Sequence, residues 1–259
     1  SRGLGDVYKR QTLEEKMHTC VYRIHDVPSE DKIHDLRENL TGFGYKLAKG
    51  QVLRPKLFNQ ILSKAKGTDS EETINQLVLR SQSQAEYSIS NVGHFGLALA
   101  RYAHFTSPIR RYSDLLVHRA LIAASNFDAG KKYSIADQQL EDICKHISQT
   151  ERRAATAERA ANDRYLASFM KDKLGQTFNA TISGVKKFGV FVTIGQENVD
   201  ALLPTSKLPA DYYRYDERRQ TLAGRHNGLV LGLGQKIHVI LKTADAITGR
   251  LAVEYAEES

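Results

Sequence analysis

The sequence predicts an α+β chain of two parts, a helix-rich stretch followed by an all-β barrel. Three observations point there. Apolar residues recur at helical spacing from Thr12 to Met170, and a polar linker, Lys171 to Gly175, follows. Beyond Gly175 the apolar period changes from about 3.6 to about 2, the change from helix to half-buried strand. A chain of 259 residues is long enough to give both parts a core.

In chain order, Ser1–Gln11 fits neither part and is set aside as a tail, of the kind an assembly error or a cloning junction leaves. From Thr12 a helix is expected, with Leu13, Met17 and Cys20 on one face, and Val21–Ile24 is short and β-prone. Ser29 is placed to cap a helix whose apolar face is Ile33, Leu36, Leu40 and Phe43, ended by Gly42 to Gly44. Gln51–Lys66 and Ser70–Gln82 read as two more helices, on Leu53, Leu57 and Ile61, then Ile74, Leu77 and Val78. After a polar stretch from Ser88 to Gly93, a helix is expected to start at Pro108 and run to Ala124. Gly130 breaks the chain, Ser134 caps again, and a long helix follows from about Ile135 to Met170.

Past the linker, Thr177–Gly184, Gly189–Ile194, Val199–Leu203, Lys236–Leu241 and Gly249–Glu254 alternate as strands. Five short strands over this span fit an OB-fold barrel, with Pro209 to Gly234 as a Tyr- and Arg-rich insertion.

Composition narrows the function classes. Lys and Arg number 37 against 30 Asp and Glu, a formal charge of +7 that suits a polyanionic partner. Cys20 and Cys144 show neither metal-ligand spacing nor a disulfide pattern, which fits a reducing cytoplasm. No apolar run is long enough to cross a bilayer, so no membrane partner is expected, nor is an obligate protein partner evident.

The densest chemistry lies between His94 and His118. At its centre stands Thr106-Ser107-Pro108-Ile109-Arg110-Arg111-Tyr112, two guanidiniums just after a stiff proline. Near a helix start, where unpaired N–H groups favour an anion, such forks suit a phosphate. The other reading is a buried Arg–Asp pair, with Asp114 neutralising Arg111.

Taken whole, His94-Phe95-Gly96-Leu97, Tyr102, Phe105 to Tyr112, Asp114 and His118 resemble the signature of the RNB family of exoribonucleases, the RNase R branch more than RNase II. Tyr22 to Pro28 and Leu79 to Tyr87 resemble other segments of that family, and Gly184 to Val192, Ala201 to Leu208 and Tyr212 to Tyr215 resemble the S1 RNA-binding domain that follows in it. The domains implied are a partial RNB domain at 12–173, its helix-rich C-terminal part, and an S1 barrel at 174–256.

The resemblance implies processive 3′→5′ hydrolysis of single-stranded RNA to nucleoside 5′-monophosphates with Mg²⁺. It implies that Arg110 holds the scissile phosphate, and it gives Glu158 a catalytic or 3′-end role. Otherwise Glu158 is a helix-surface residue paired with Arg153 or Asn162. Arg111, Tyr112 and His104 are candidate RNA contacts; His94, Tyr102, His104, Tyr112 and His118 could line the RNA path by stacking or phosphate contact, though packing around the signature is the favoured reading of each. In the S1 part, Phe178, Phe188 and Phe191 are candidates for base stacking. Lys186, Lys187, Arg214, Arg218 and Arg225 are candidates for the RNA backbone. Alternation puts some of these phenylalanines in the core instead, and Pro204 stands where many S1 domains carry histidine. The family's aspartate cluster, which holds Mg²⁺, has no counterpart among these residues. The expectation is a C-terminal fragment that binds RNA without cutting it. The alternative is a non-catalytic RNA-binding protein that keeps an RNB-like half and an S1 domain.

Overall fold

The computed structural model describes residues 19–50, 53–125, 135–195, 198–217 and 219–256. The tail at Ser1–Gln11, the helix around Leu13 and Met17, the expected helix start at Gln51, the break at Gly130, the cap at Ser134 and the candidate Arg218 lie outside the described residues. The elements are β1 (Tyr22–Ile24), α1 (Glu30–Gly42), α2 (Pro55–Ala65), α3 (Glu71–Ser81), β2 (Glu86–Ser88), α4 (Tyr112–Ala124) and α5 (Asp137–Met170). Then come β3 (Thr177–Lys186), β4 (Gly189–Ile194), β5 (Val199–Pro204), β6 (Tyr213–Asp216), β7 (Thr221–Gly224), β8 (Val230–Gly232), β9 (Lys236–Asp245) and β10 (Arg250–Tyr255).

The described residues form two compact units, those within 1–30, 50–60 and 82–155 in one, and those within 31–49, 61–81 and 156–259 in the other. In the first, β1 and β2 pair antiparallel, with Arg23 opposite Tyr87. Its core gathers Cys20, Val21, Ile24, Tyr87, Leu116, Val117, Leu140 and Cys144, and both cysteines are free thiols. Burial pushes the Cys144 thiol up to about 11, which keeps it protonated and unreactive.

The second unit is built on a closed barrel in the order β10-β5-β4-β3-β9, antiparallel except for the parallel β10–β5 pair. Ile182, Val185, Val190, Val192, Ile194, Leu203, Val239 and Leu241 fill it and are fully buried. Register shifts between Ile182 and Gly184, and between Ala252 and Val253, supply the local bends that closure needs. The barrel matches the five strands expected from alternation. In the 209–234 insertion, by contrast, the sequence reading had no strands. It forms a second antiparallel sheet, β6-β7-β8, whose Leu222 and Leu231 join the barrel core.

Helix α1 buries Ile33, Leu36 and Leu40 as expected. Helix α2 is shorter than expected and starts at Pro55. Proline suits the first helical position, and it disfavours helical geometry in the residue before it. Helix α3 carries Glu71 and Glu72 in its first turn, where they complement the helix dipole.

Candidate functional site

The arginine segment folds as a turn followed by a helix. The N–H groups of Arg110 and Arg111 both donate to the Ser107 carbonyl, at 3.3 and 3.1 Å. Helix α4 begins only at Tyr112, with Arg111 as an extended N-cap at φ −126°, ψ 114°. The expected helix start at Pro108 is therefore corrected. The reason is Asp114, which is completely buried and must be satisfied from nearby. Its carboxylate accepts the Ser107 N–H at 2.7 Å, Arg111 Nη2 at 2.8 Å and the Ser113 hydroxyl at 3.1 Å, pinning the turn back over the first turn of α4.

This settles which arginine is bound within the chain. Arg111 is the partner of Asp114, and its Nε is buried without a hydrogen bond among the described residues. Arg110 is exposed, and its guanidinium has no ion pair or hydrogen bond among the described residues. Beside it, Ile109 is fully exposed. Tyr112 is exposed, with the Arg119 guanidinium 6.0 Å from its ring centre.

Behind the turn runs a chain of edge-to-face rings. His25 meets His94 at 5.0 Å between ring centres, His94 meets Tyr102 at 5.4 Å, Tyr102 meets His104 at 5.4 Å, and His104 meets Tyr87 at 5.7 Å. Arg23 closes it, 4.7 Å over the Tyr87 ring and in a two-point ion pair with Glu151 at 2.6 and 3.1 Å. His104 is thus taken up by packing and by the Tyr87 hydroxyl at 3.0 Å. Burial lowers both His94 and His104 to about 4; His25 and Arg23 add to the effect at His94, and Arg111 and Arg23 at His104. Both are neutral at pH 7. His118 stacks on Phe105 at 3.9 Å and its Nε2 meets the Phe105 carbonyl at 2.8 Å. Gly96 in the signature has a physical reason: its N–H donates to His25 Nδ1, and a Cβ there would lie 2.7 Å from that atom.

Glu158 lies on a part of α5 where every residue from 151 to 165 is exposed. It has no hydrogen bond or ion pair among the described residues, so neither Arg153 nor Asn162 pairs with it. Among the described residues no three His, Cys, Asp or Glu side chains gather so as to hold a metal ion. The described side chains do not fit the metal centre that the resemblance implies.

On the barrel, the three phenylalanines separate. Phe188 and Phe191 are exposed and meet edge to face at 6.0 Å, beside exposed Lys186 and Lys187 at the β3–β4 hairpin. Phe178 is half-buried against the barrel core. Phe191 and Lys186 also line a cavity of about 430 Å³ with Lys32 of α1 and Arg80 of α3, two cations the sequence reading missed. Arg80 Nη1 donates to the Ser183 carbonyl at 2.9 Å, which fixes it at the rim of the barrel. Arg214 is exposed on β6.

Comparison with known proteins accounts for both halves. The RNB domain family matches residues 7–126, including Val7 to Gln11 of the stretch set aside above, and the S1 RNA-binding domain matches residues 171–255. The chain belongs to the RNB family. Ribonuclease R of Aquifex aeolicus is 39% identical over 246 residues, which are 95% of this chain and 35% of that protein. Ribonuclease R of Escherichia coli is 36% identical, over 91% of this chain and 30% of that protein. The chain thus spans about a third of the length of these relatives. Mycoplasma genitalium RNase R, solved in its apo form, superposes with a TM-score of 0.88 at 27% identity, over 98% of this chain and 40% of that one. The same enzyme has been solved with ribose-methylated single-stranded RNA. Among the described residues of this RNB-family chain, no helix is long and apolar enough to cross a membrane.

Proposed function

We propose that the gene product to which this chain belongs is a processive 3′→5′ exoribonuclease of the RNase R type. It degrades single-stranded RNA to nucleoside 5′-monophosphates in the cytoplasm, using Mg²⁺ held by residues other than those described. The observation that carries this is the exposed guanidinium of Arg110, without a partner among the described residues and presented on a turn that Asp114 and Arg111 hold in place. A guanidinium carried on a fixed turn, with nothing to neutralise among the described residues, is what a phosphate oxygen pair needs. Arg110 contacts the scissile phosphate and stabilises the charge that builds on it. Arg111 acts as a positioning residue, since its fork is engaged by Asp114. Glu158, exposed on α5 and without a side-chain partner among the described residues, is assigned the catalytic or 3′-end role. Tyr112, exposed at the start of α4, is placed for RNA contact, whereas His104 supports the segment by packing against Tyr87 and Tyr102.

The division into an RNB part over 12–173 and an S1 part over 174–256 assigns holding of the strand to the second. There Phe188 and Phe191 stack on bases, while Lys186, Lys187 and Arg214 meet phosphates. Phe178, half-buried against the barrel core, contributes through packing. This chain alone binds RNA and leaves it intact.

The test is to incubate the complete gene product with 5′-labelled single-stranded RNA and Mg²⁺, with and without chelator. Progressive shortening from the 3′ end with release of nucleoside 5′-monophosphates, abolished by chelator, is the expected result. Intact RNA, or internal cuts alone, would overturn the assignment.

A further inference from the structure

The β6-β7-β8 sheet has two faces of opposite character. Tyr213, Tyr215 and Leu222 turn inward and pack on the barrel core. Side chains alternate along a strand, so Tyr212 and Arg214 take the outward side. Arg214 pairs with Ala223, Ala223 pairs with Val230, and the Arg225 N–H donates to the Tyr212 carbonyl at 2.9 Å, so the cross-strand partners share that outward side. Tyr212 is 80% exposed, Val230 is 51% exposed, and Arg214 and Arg225 are exposed as well. None of the four has a side-chain partner among the described residues.

The open end of this sheet is held rigid. Asp211 accepts the N–H groups of His226 and Asn227, each at 2.7 Å, and faces His226 Nδ1 at 2.9 Å. Asn227 donates to the Tyr213 hydroxyl at 2.9 Å, which itself donates to the Pro209 carbonyl at 2.8 Å. Gly224 is required there, because a Cβ would collide with the Asn227 side chain. The acidic groups nearby keep their charge but are turned to other partners: Asp211 accepts backbone N–H groups, Asp216 accepts the Arg219 N–H at 3.1 Å, and neither pairs with Arg214 or Arg225. Glu217 is exposed in the turn beyond β6.

We propose that this outward face, Tyr212 with Arg214, Arg225 and Val230, is a second docking platform for single-stranded RNA, separate from the Phe188–Phe191 hairpin. A base stacks on the Tyr212 ring, Val230 and Ala223 give an apolar floor, and the two guanidiniums take flanking phosphates. The platform rests on the reading that the chain binds RNA.

The experiment is fluorescence anisotropy of the chain with a labelled oligouridine long enough to span both faces. Tyr212→Ala is expected to weaken binding about 5- to 100-fold, and Tyr212→Phe to leave it unchanged, since the ring does the stacking. Arg214→Gln with Arg225→Gln is expected to flatten the log–log salt dependence by about 1.4, roughly 0.7 for each single-strand phosphate contact. These side chains are exposed, so matching thermal melts separate lost binding from lost folding. Unchanged affinity and salt slope in these variants, with binding lost in Phe188→Ala and Phe191→Ala, would overturn the platform and leave RNA binding standing. A wild-type chain that does not bind oligouridine would overturn both. Competition by polyglutamate as strong as by unlabelled RNA would show an unselective anion surface and would also overturn it.

Discussion

Arg111 and Asp114 form an ion pair, Nη2 to Oδ2 at 2.8 Å, in which the carboxylate is wholly removed from solvent. The same Oδ2 holds the Ser107 N–H, so one buried charge fixes both ends of the turn that presents Arg110. The two adjacent arginines thus have different tasks. One is consumed in building the turn, and the other is left for a ligand.

Removing the carboxylate should be costly. Asp114→Ala leaves the largely buried Arg111 charge and the Ser107 N–H without their acceptor, and breaking one side of a buried pair costs about 3–5 kcal/mol. Urea unfolding of the chain should show a loss of that size. A change within about 0.5 kcal/mol would mean that the turn is held by something else.

The barrel phenylalanines should divide by role. Phe188→Ala and Phe191→Ala should each weaken single-stranded RNA binding by about 1–3 kcal/mol with little effect on the melting temperature. Phe178→Ala should instead destabilise the chain, by up to about 3 kcal/mol for a half-buried ring. Paired melts and binding titrations on the three variants check this, and the reverse pattern would reassign the face.

Gly189 pairs with Pro204 across β4 and β5, and a Cβ on it would lie 2.4 Å from the Leu203 carbonyl oxygen. Gly189→Ala should therefore destabilise the barrel by about 1–3 kcal/mol, the usual cost of forcing atoms into a packed site. Its denaturant midpoint gives the answer.

Stability should fall on mild acidification. His94 and His104 sit near 4 in the folded chain, against an ordinary value of 6.5 that the unfolded chain approaches. The unfolded state binds these protons first, so the full stability is present above about pH 6.5 and is lost as pH falls toward about 4. Between about pH 6.5 and 5, ordinary carboxylates stay ionised and the loss belongs to the histidines. Urea midpoints recorded across that window should decline, and flat midpoints would contradict the burial of both rings.

Much of this was legible in the residues, and the exceptions have physical causes. The barrel strands are long enough for alternation to register, as in Thr177–Lys186 and Lys236–Asp245. Strands β7 and β8 are four and three residues long, too short to show a period, and Tyr212 to Tyr215 carries tyrosines on both faces. The helix starts later than Pro108 because a proline that suits the first helical position is only a local signal, whereas the Asp114 side chain, seven residues beyond Ser107, decides the geometry. The Arg111–Asp114 pair was readable at helical spacing. Arg23 with Glu151, separated by 128 positions, and Arg80 with Lys186 at one cavity are products of tertiary folding and leave no local trace.

The most direct test of the account is the Arg110→Ala variant of the complete gene product, compared with wild type on 5′-labelled single-stranded RNA. Turnover should fall by at least about 100-fold, the scale of losing one charge-stabilising group, while most RNA affinity persists through the barrel contacts. Wild-type turnover in Arg110→Ala would contradict the assignment of that guanidinium to the scissile phosphate, and with it the central claim.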